Sequence, residues 1–357
     1  MELRILNLVF EYMVGIASYS IYIPQWRLKA ADIASVWGKN EVHVLEGLGV
    51  AEKSVAGSDE DTVTMGYEAA WRAVKSAGIT PADIGALFVG SESHPYAVNP
   101  TTTIIGEFLG MGTGYFAADT EFACKAGTTG MIIVEGLLRA KKISYGMAIG
   151  ADCAQAKPHD VLEYTAASAG AAFVLTSNVE KVAVSLVDSV SFSTDTPDFW
   201  RRDGISYPSH GGRFTGEQAY FRHVSSAATA IMEKNGLKPD DFQYVVFHMP
   251  NGKFPRQIAK RLGFQDKQLR HSLIVDSIGN PYSASSLIGL ANTLDNARSD
   301  EQILMVSYGS GAGADAFIFR TTKQLAMLRK KQHAVAEKFH MKKYCSYVEY
   351  LKMRGVI

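Results

Sequence analysis

The sequence predicts an α/β protein made of two copies of one unit of alternating strands and helices. Short, nearly all-apolar strand patterns alternate with amphipathic helix patterns, as in sheets that helices cover on both faces. Residues 78–84 (GITPADI) return as residues 236–242 (GLKPDDF), an offset of 158 residues. An offset that is kept along the chain indicates an internal duplication.

The repeated segments share the same order of local signals. Each follows an amphipathic helix pattern, over residues 63–77 in the first copy and 219–235 in the second. A glycine then caps the helix, and a proline blocks its continuation. Apolar strand patterns follow at residues 86–89 and 244–247, and each runs directly into polar residues.

Two further pairs of segments keep the offset, at 156 and 157 residues. They are 122–124 with 278–280, and 149–152 with 306–309. Two copies related by a pseudo-twofold axis bring equivalent strand ends together. We therefore expect Glu92, Cys124, His248 and Asn280 to meet in one site.

The repetition divides the chain into four parts. We expect a first half over residues 13–178 and a second half over 179–322. Residues 1–12 are interpreted as an N-terminal extension that precedes the first strand. Residues 323–357 form a mildly basic tail that is helical in pattern and lies outside the repeat. One interpretation of the tail is a solvated helix with a docked aromatic end. The other is a segment that docks a partner protein.

Composition excludes several classes of protein. Lys+Arg and Asp+Glu both number 36, so neither a nucleic-acid groove nor a membrane surface is indicated as the main partner. No apolar run reaches the ~20 residues that span a bilayer. The three cysteines lack paired spacing, which favours a reducing, cytoplasmic protein without disulfides or zinc. There is no Walker A loop or Rossmann fingerprint, and we expect no metal and no redox cofactor.

The lone Cys124 is the first candidate for chemistry. It follows a strand-like run and leads through small residues into an apolar helix over residues 131–138. The positive end of a helix dipole lowers the pKa of a nearby thiol, so the pattern predicts a reactive thiolate. The alternative is a buried, inert cysteine in a packed turn.

Glu92 and His248 are the next candidates, one in each copy. A carboxyl group whose pKa is raised by burial suits a general acid/base, whereas the simpler interpretation is a solvated strand-end carboxylate. His248 is either a site residue or a satisfied structural histidine. His94 lies two residues beyond Glu92 and is a weaker competitor for the histidine role.

With these residues placed, the sequence resembles the thiolase superfamily, and more closely the archaeal-type 3-hydroxy-3-methylglutaryl-CoA synthases. The resemblance covers nearly the whole chain from Met13 and implies a five-layer αβαβα sandwich of two repeats. The motifs that carry it are Val89-Gly-Ser-Glu92-Ser, Ala123-Cys124-Lys-Ala-Gly, Val246-Phe-His248-Met-Pro250-Asn-Gly-Lys253, Gly279-Asn280-Pro-Tyr282-Ser-Ala-Ser and Ser307-Tyr-Gly-Ser310-Gly311-Ala-Gly.

The resemblance implies an acyltransferase of the mevalonate pathway to isoprenoids. Acetyl-CoA, acetoacetyl-CoA and water would give 3-hydroxy-3-methylglutaryl-CoA and free CoA. Cys124 would carry the acetyl group as a thioester, and Glu92 would move protons during carbon–carbon bond formation. His248 would bond the thioester oxygen of acetoacetyl-CoA and support thiolate formation.

The resemblance also implies residues that contact the substrates. Asn280 and Ser310 would donate hydrogen bonds to acyl oxygens, although Asn280 could instead only cap a helix and Ser310 only form a turn. Looser matches imply substrate contacts at Thr165 and Thr215. Lys253 matches a CoA-binding lysine, and Arg256 is added because CoA carries phosphates.

Two other functions remain open from the sequence. A 3-ketoacyl-carrier-protein synthase III would also use Cys124, His248 and Asn280. The residues after the histidine, Met-Pro-Asn, and the presence of Glu92 weigh against that enzyme. A noncatalytic scaffold of the same fold is the other alternative, and the complete Glu/Cys/His set argues against it.

The resemblance finally implies partners. Superfamily members usually dimerise across the sheet of the first repeat, so a homodimer or higher oligomer is expected. Archaeal relatives work with an acetoacetyl-CoA thiolase through a small zinc-ribbon/OB-fold bridging protein, and the same complex is expected here. No nucleic acid and no membrane partner is expected.

Overall fold

A computed structural model describes residues 13–154 and 156–357. The expected extension over residues 1–12 lies outside the described residues. In chain order the described strands are β1 (Gly15–Tyr22), β2 (Trp26–Lys29), β3 (Glu52–Val55), β4 (Ile84–Gly90), β5 (Phe116–Thr120), β6 (Tyr145–Cys153), β7 (Ser168–Thr176), β8 (Val184–Ser193), β9 (Phe199–Trp200), β10 (Ser209–His210), β11 (Tyr244–Phe247), β12 (Gln302–Gly309), β13 (Gly313–Thr321) and β14 (Lys343–Tyr344).

The helices are placed between and after these strands. They are α1 (Ala30–Val36), α2 (Glu41–Leu48), α3 (Thr62–Ala77), α4 (Thr101–Leu109), α5 (Ala126–Arg139), α6 (Arg222–Asn235), α7 (Phe254–Leu262), α8 (Asp266–Leu269), α9 (Val275–Ile278), α10 (Ser285–Asn296), α11 (Gln324–Arg329), α12 (Val335–His340) and α13 (Tyr347–Met353). A π-helix spans Thr215–Phe221, and 3₁₀ turns span Pro81–Asp83, Val161–Tyr164, Val179–Lys181, Pro239–Asp241 and Tyr282–Ala284.

The duplication is visible in the sheet. Nine strands are hydrogen-bonded in the order β11-β12-β13-β8-β1-β7-β6-β4-β5. On one side β4 pairs parallel with β6, and β6, β7 and β1 then pair antiparallel; on the other, β11, β12, β13 and β8 repeat this pattern. Within this sheet the two halves meet at β1 and β8, which share two residue pairs among the described residues. The boundary at residues 178 and 179 remains a prediction.

Five layers follow from how the helices pack. Helix α3 covers β1, β7 and β6, and α6 covers β13, β8 and β12. Helices α5 and α10 lie between the two halves, against β6 and β4 and against β11 and β12 respectively. Neighbouring strand residues therefore enter different cores. Phe173 and Phe317 belong to the central core, whereas Val174 and Ile318 belong to the outer cores.

The local signals of the repeat form the structures that they predict. Gly78 and Gly236 end α3 and α6 with φ of 61° and 65°, a left-handed conformation that glycine adopts without strain. The prolines that follow open the 3₁₀ turns at Pro81–Asp83 and Pro239–Asp241, and each turn leads within a few residues into a buried strand. The glycine that ends each helix and the proline that opens each turn thus determine where β4 and β11 begin.

Two elements differ from the expectation. The second amphipathic helix begins as the π-helix Thr215–Phe221 and becomes α-helical only from Arg222. The tail is not one helix: it contains α11, α12, α13 and the short β14, which pairs parallel with β2. Tyr347 and Tyr350 of α13 are buried, which agrees with a docked aromatic tail.

Gly90, at the end of β4, sets the distance between this strand and the first turn of α5. A Cβ atom on Gly90 would lie 2.2 Å from the carbonyl carbon of Ala126 and from the backbone nitrogen of Gly127. We expect Gly90→Ala to lower the free energy of unfolding in urea by about 1–3 kcal/mol or more. The control is Gly136→Ala, an exposed position in α5 with open space around it. It should stabilise by roughly 0.5–1 kcal/mol, and similar losses in both variants would contradict the close approach.

Candidate active site

The turn that carries Cys124 connects β5 to α5. Ala123 adopts a φ of 43°, and Gly279, its counterpart in the second copy, has a φ of 76°. A non-glycine residue in this region is strained and is held by its surroundings. Lys125 supplies part of that hold, because its buried ammonium lies 3.0 Å from Asp315 of β13. The turn is therefore anchored to the second half of the molecule.

Cys124 and Glu92 are in direct contact. The Sγ atom of Cys124 donates a hydrogen bond to Glu92 Oε1 over 3.2 Å, and Cys124 is only 8% exposed. The Arg201 guanidinium donates to the backbone carbonyl of Glu92 over 2.9 Å. The first-half pair that the sequence predicts is thus brought together by the structure.

Asp152, at the end of β6, holds the segment that contains Glu92. Its Oδ1 accepts from the Ser91 and Ser93 hydroxyls, both at 2.7 Å, and from the Glu92 backbone N–H at 2.8 Å. Its Oδ2 accepts from the Ser283 backbone N–H at 2.9 Å, and its side chain is fully buried. The sequence reasoning assigned no role to Asp152. The available signal was a carboxylate at the end of an apolar strand, the same signal that identified Glu92.

Burial and charge shift the pKa values of this pair upward. Desolvation is the main cause that raises the pKa of Glu92 to about 8, and the nearby Asp152 carboxylate adds to it. Desolvation and the Glu92 carboxyl group raise the pKa of the Cys124 thiol well above its usual value. The expected thiolate, favoured by the helix dipole, is therefore wrong for the resting site. Lost hydration and the adjacent carboxyl group both favour the neutral thiol.

A cavity of about 310 Å³ opens at Cys124, and we call it the main cavity. The side chains that line it come from both halves and from the loops between them. They include Cys124, Thr165, Thr215, His248, Asn280 and Ser310, together with Leu48, Val161, Leu162, Phe199, His210, Gly212, Tyr220, Pro250, Asn251, Phe254, Tyr282 and Tyr308. Glu92 lies beside Cys124 and lines a second cavity of about 310 Å³ with Ser91, Arg201 and Ser310.

His248 follows β11 and is almost completely buried. Desolvation lowers its pKa to about 3, so its imidazole is neutral near pH 7. It can support the thiol only through a hydrogen bond and not through a positive charge. Its Nδ1 is buried without a partner among the described residues. A buried N–H donor without a partner is rarer in proteins than a buried acceptor without one. The unpartnered Nδ1 is therefore assigned as the acceptor, and the proton is placed on Nε2.

Asn280 holds a turn through its side-chain oxygen and lines the main cavity. Its Oδ1 accepts from the Tyr282 backbone N–H at 3.1 Å, which fixes the start of the 3₁₀ turn. Its backbone N–H donates to the Thr165 carbonyl at 2.7 Å. Within the described part of the chain its Nδ2 has no protein partner, and the residue lines the main cavity. The amide NH₂ is thus available to a bound acyl oxygen.

The remaining candidates occupy different places. Thr165 is buried, whereas Thr215 opens the π-helix, and each bonds a nearby backbone carbonyl through its hydroxyl. Lys253 and Arg256 are exposed near the start of α7 and do not line the main cavity. His94 does not line it either, and its Nδ1 lies 2.8 Å from the Thr101 hydroxyl. Its place favours His248 for the histidine role.

Asp198 is a second residue that sequence reasoning missed. Its buried carboxyl group accepts from the Tyr308 hydroxyl and the Gly311 backbone N–H, both at 2.8 Å, and from Thr196 at 2.7 Å. It thereby fixes the glycine-rich turn that presents Ser310. No sequence pattern pointed to it, because Tyr308 and Gly311 lie 110 and 113 residues away.

In residues 13–154 and 156–357, no group of three or more His, Cys, Asp or Glu side chains is placed to hold a metal ion. Over the same residues, none of the helices combines the length and apolar character required to cross a bilayer.

Comparison with known proteins places the chain among synthases. Residues 232–321 match the family described as 3-Oxoacyl-[acyl-carrier-protein (ACP)] synthase III C terminal. Over 346 residues the chain is 56% identical to the hydroxymethylglutaryl-CoA synthase of Archaeoglobus fulgidus. The alignment covers 97% of this chain and 99% of the relative. Its identity to the hydroxymethylglutaryl-CoA synthase of Methanocaldococcus jannaschii is 51% over 345 residues, with the same coverage. The chain belongs to the hydroxymethylglutaryl-CoA synthase family.

Solved structures agree with this family at the level of the fold. The structure described as MvaS in complex with 3-hydroxy-3-methylglutaryl coenzyme A matches with a TM-score of 0.88 at 22% identity, covering 96% of this chain and 92% of that chain. The 3-oxoacyl-(acyl carrier protein) synthase III, FabH, of Pseudomonas aeruginosa PAO1 matches with a TM-score of 0.79 at 17% identity, covering 87% and 99%. The expected thiolase-like sandwich is confirmed. The full-length relatives, and not the fold, separate the hydroxymethylglutaryl-CoA synthase family from the synthase III alternative.

The raised pKa of Glu92 predicts how stability depends on pH. Between about pH 4.5 and 8 the folded chain keeps a proton on Glu92 that the unfolded chain releases, so this residue lowers stability as the pH rises. We therefore expect the free energy of unfolding of Glu92→Gln, taken relative to wild type, to rise by at least about 1 kcal/mol between about pH 5 and about pH 9. One pKa unit corresponds to about 1.4 kcal/mol. Urea unfolding across this range measures it.

The matched control for this measurement is Glu121→Gln, an exposed carboxyl group that lines the second cavity. Comparing each variant with wild type cancels the contribution of His248. The same pH dependence in both variants would contradict a raised pKa at Glu92.

Proposed function

We propose that this protein condenses acetyl-CoA with acetoacetyl-CoA and water to give 3-hydroxy-3-methylglutaryl-CoA and free CoA. The observation that carries the proposal is the 3.2 Å contact between the Cys124 thiol and the Glu92 carboxyl group. This pair lies where the main cavity meets Asn280 and His248. Identity of 56% to a full-length hydroxymethylglutaryl-CoA synthase supports the same activity.

The first step is transfer of the acetyl group to Cys124. The sulfur attacks the thioester carbon of acetyl-CoA, the bond to the CoA sulfur breaks, and the thiol proton ends on the leaving CoA. Neutral His248 and the Asn280 amide donate hydrogen bonds to the carbonyl oxygen as negative charge develops there. Because the thiol is protonated at rest, nucleophilic sulfur forms only as its proton is removed.

The second step forms the carbon–carbon bond. Glu92 removes a proton from the methyl group of acetyl-Cys124, and the resulting carbon attacks the ketone of acetoacetyl-CoA. Glu92 then returns this proton to the ketone oxygen. Water cleaves the thioester bond to Cys124, adding its hydroxyl to the acyl carbon and a proton to the sulfur, which releases 3-hydroxy-3-methylglutaryl-CoA. A pKa of about 8 keeps both forms of Glu92 accessible near neutral pH, as general acid/base catalysis requires. These steps transfer only protons and acyl groups, so we propose no resident metal or redox cofactor.

The CoA portions of both substrates are assigned to the outer end of the main cavity. Asn251 and Phe254 line it, and Lys253 stands between them at the start of α7. Its exposed ammonium can reach a CoA phosphate at the rim. The Arg256 guanidinium donates to the Gly252 carbonyl, so its contribution would be smaller. Thr165, Thr215 and Ser310 are proposed as contacts of the acyl and pantetheine portions.

We also propose a cytoplasmic assembly. The edge strand β5 and its surroundings expose large apolar side chains, among them Phe108 at 70% and Phe116 at 53%, which supports dimerisation along this edge. The sequence resemblance supports a complex with an acetoacetyl-CoA thiolase and a zinc-ribbon/OB-fold bridging protein. Light scattering and affinity purification test these two proposals, and a monomer recovered without either partner would contradict them.

Glu92→Ala separates the two half-reactions. We expect acetylation of Cys124 to remain within about tenfold of wild type, because Glu92 does not form or break the bonds of that transfer. Condensation should fall by about 10²–10⁴-fold, the range that a positioned general acid/base contributes. Labelled acetyl-CoA and intact-protein mass measure acetylation, and product chromatography measures condensation.

Glu121→Ala is the control, because it removes a neighbouring carboxyl group that does not contact Cys124. Both half-reactions should stay close to wild type in this variant. Full condensation by Glu92→Ala would overturn the role of Glu92 and would favour a decarboxylating enzyme that needs only Cys124, His248 and Asn280.

A further inference from the structure

We propose that the C-terminal helix α13 positions one wall of the main cavity through Glu163, which makes Tyr347 and Glu163 positioning residues for the acceptor substrate. The inference rests on the proposed function for its kinetic consequence. Its structural basis is independent of that function, because it consists of contacts between the tail and the 3₁₀ turn Val161–Tyr164.

The Glu163 carboxyl group is fully buried and is bonded at both oxygens. Oε1 accepts from the Tyr347 hydroxyl at 2.8 Å. Oε2 accepts from the Trp37 indole N–H at 3.1 Å and from the His159 backbone N–H at 2.8 Å. Since a buried carboxyl group is costly unless it is fully bonded, removing any one donor destabilises its present position.

A second contact ties the same turn to α13. The buried Lys53 ammonium donates to the Glu163 backbone carbonyl over 2.5 Å and to the Tyr350 hydroxyl over 3.3 Å. It also lies 4.4 Å from the centre of the Tyr350 ring. Successive turns of α13 therefore hold Glu163 by its side chain and, through Lys53, by its backbone.

Aromatic packing supports these hydrogen bonds. The Trp37 ring stacks on His159 with centroids 4.3 Å apart and an interplanar angle of 10°. Tyr347 meets the same indole edge-on at 6.0 Å. The Trp37 indole therefore packs against Tyr347 of the tail and against His159, which precedes the cavity wall.

The residues on either side of Glu163 belong to the main cavity. Val161, Leu162 and Thr165 line it. The Thr165 carbonyl accepts from the Asn280 backbone N–H at 2.7 Å, and the Asn280 carbonyl accepts from Ala167 N–H at 3.0 Å. A shift of Glu163 therefore moves the apolar wall and the backbone of Asn280. Cys124 and Glu92 are held by other elements, through Lys125 and Asp152.

Tyr347→Phe tests the inference, because it removes one hydroxyl and keeps the ring. We expect KM for acetoacetyl-CoA to rise roughly tenfold, since a misplacement of about 1 Å can cost up to about a hundredfold. The rate of Cys124 acetylation should fall by a clearly smaller factor, because Asn280 serves both half-reactions whereas the apolar wall is proposed to contact the acceptor. Hydrogen–deuterium exchange over residues 156–167 should become faster. Glu163→Gln, which keeps the shape of the side chain, should show the same pattern.

Tyr344→Phe is the matched control, because this tyrosine lies in the same tail and its hydroxyl donates to the Glu52 carboxyl group over 2.8 Å. Neither Tyr344 nor Glu52 lines the main cavity. Its KM and its exchange over residues 156–167 should match wild type. Unchanged exchange in Tyr347→Phe would overturn the inference whatever the enzyme catalyses. Equal losses of acetylation and condensation would also overturn it, as they indicate a general effect on folding. Absence of condensation in wild type would overturn the proposed function alone.

Discussion

The Asp152 carboxylate is the interaction on which the site depends. It accepts hydrogen bonds from Ser91, Glu92 and Ser93 after β4, and from Ser283 beyond Asn280 in the second half. Hydrogen bonds to a charged group contribute about 1.5–3 kcal/mol each, so four of them in a dry interior strongly favour one arrangement. One buried carboxylate thus aligns groups from both copies of the duplicated unit.

The same carboxylate shapes the chemistry of its neighbours. Its negative charge adds to desolvation in raising the pKa of Glu92, and both residues raise the pKa of Cys124. His248 responds to burial in the opposite sense and is neutral. The resting site therefore holds a thiol, a carboxyl group close to its pKa and an uncharged imidazole. Such a site holds no buried thiolate at rest, and the Cys124 thiol loses its proton only when it reacts with bound substrate.

Much of the architecture was predictable from the sequence, because the internal offset fixed which strand ends are equivalent. Cys124, His248 and Asn280 line one cavity and Glu92 contacts Cys124, as the duplication predicted. The protonation state of Cys124 was not predictable, since it depends on desolvation that only the packed structure shows. Asp152, Asp198 and Glu163 were missed for a related reason. The partners that tie each of them to another part of the fold are distant in sequence, and no motif marks such contacts.

The most direct test of the proposed mechanism is release of free CoA from acetyl-CoA, with and without acetoacetyl-CoA, by wild type and Cys124→Ala. The mechanism predicts sustained release only with both substrates and only with Cys124 present, together with a six-carbon acyl-CoA product. Release that continues in Cys124→Ala would contradict it, as would turnover only with a malonyl-carrier-protein. A folded wild-type protein that transfers no acyl group would contradict it as well and would favour a scaffold.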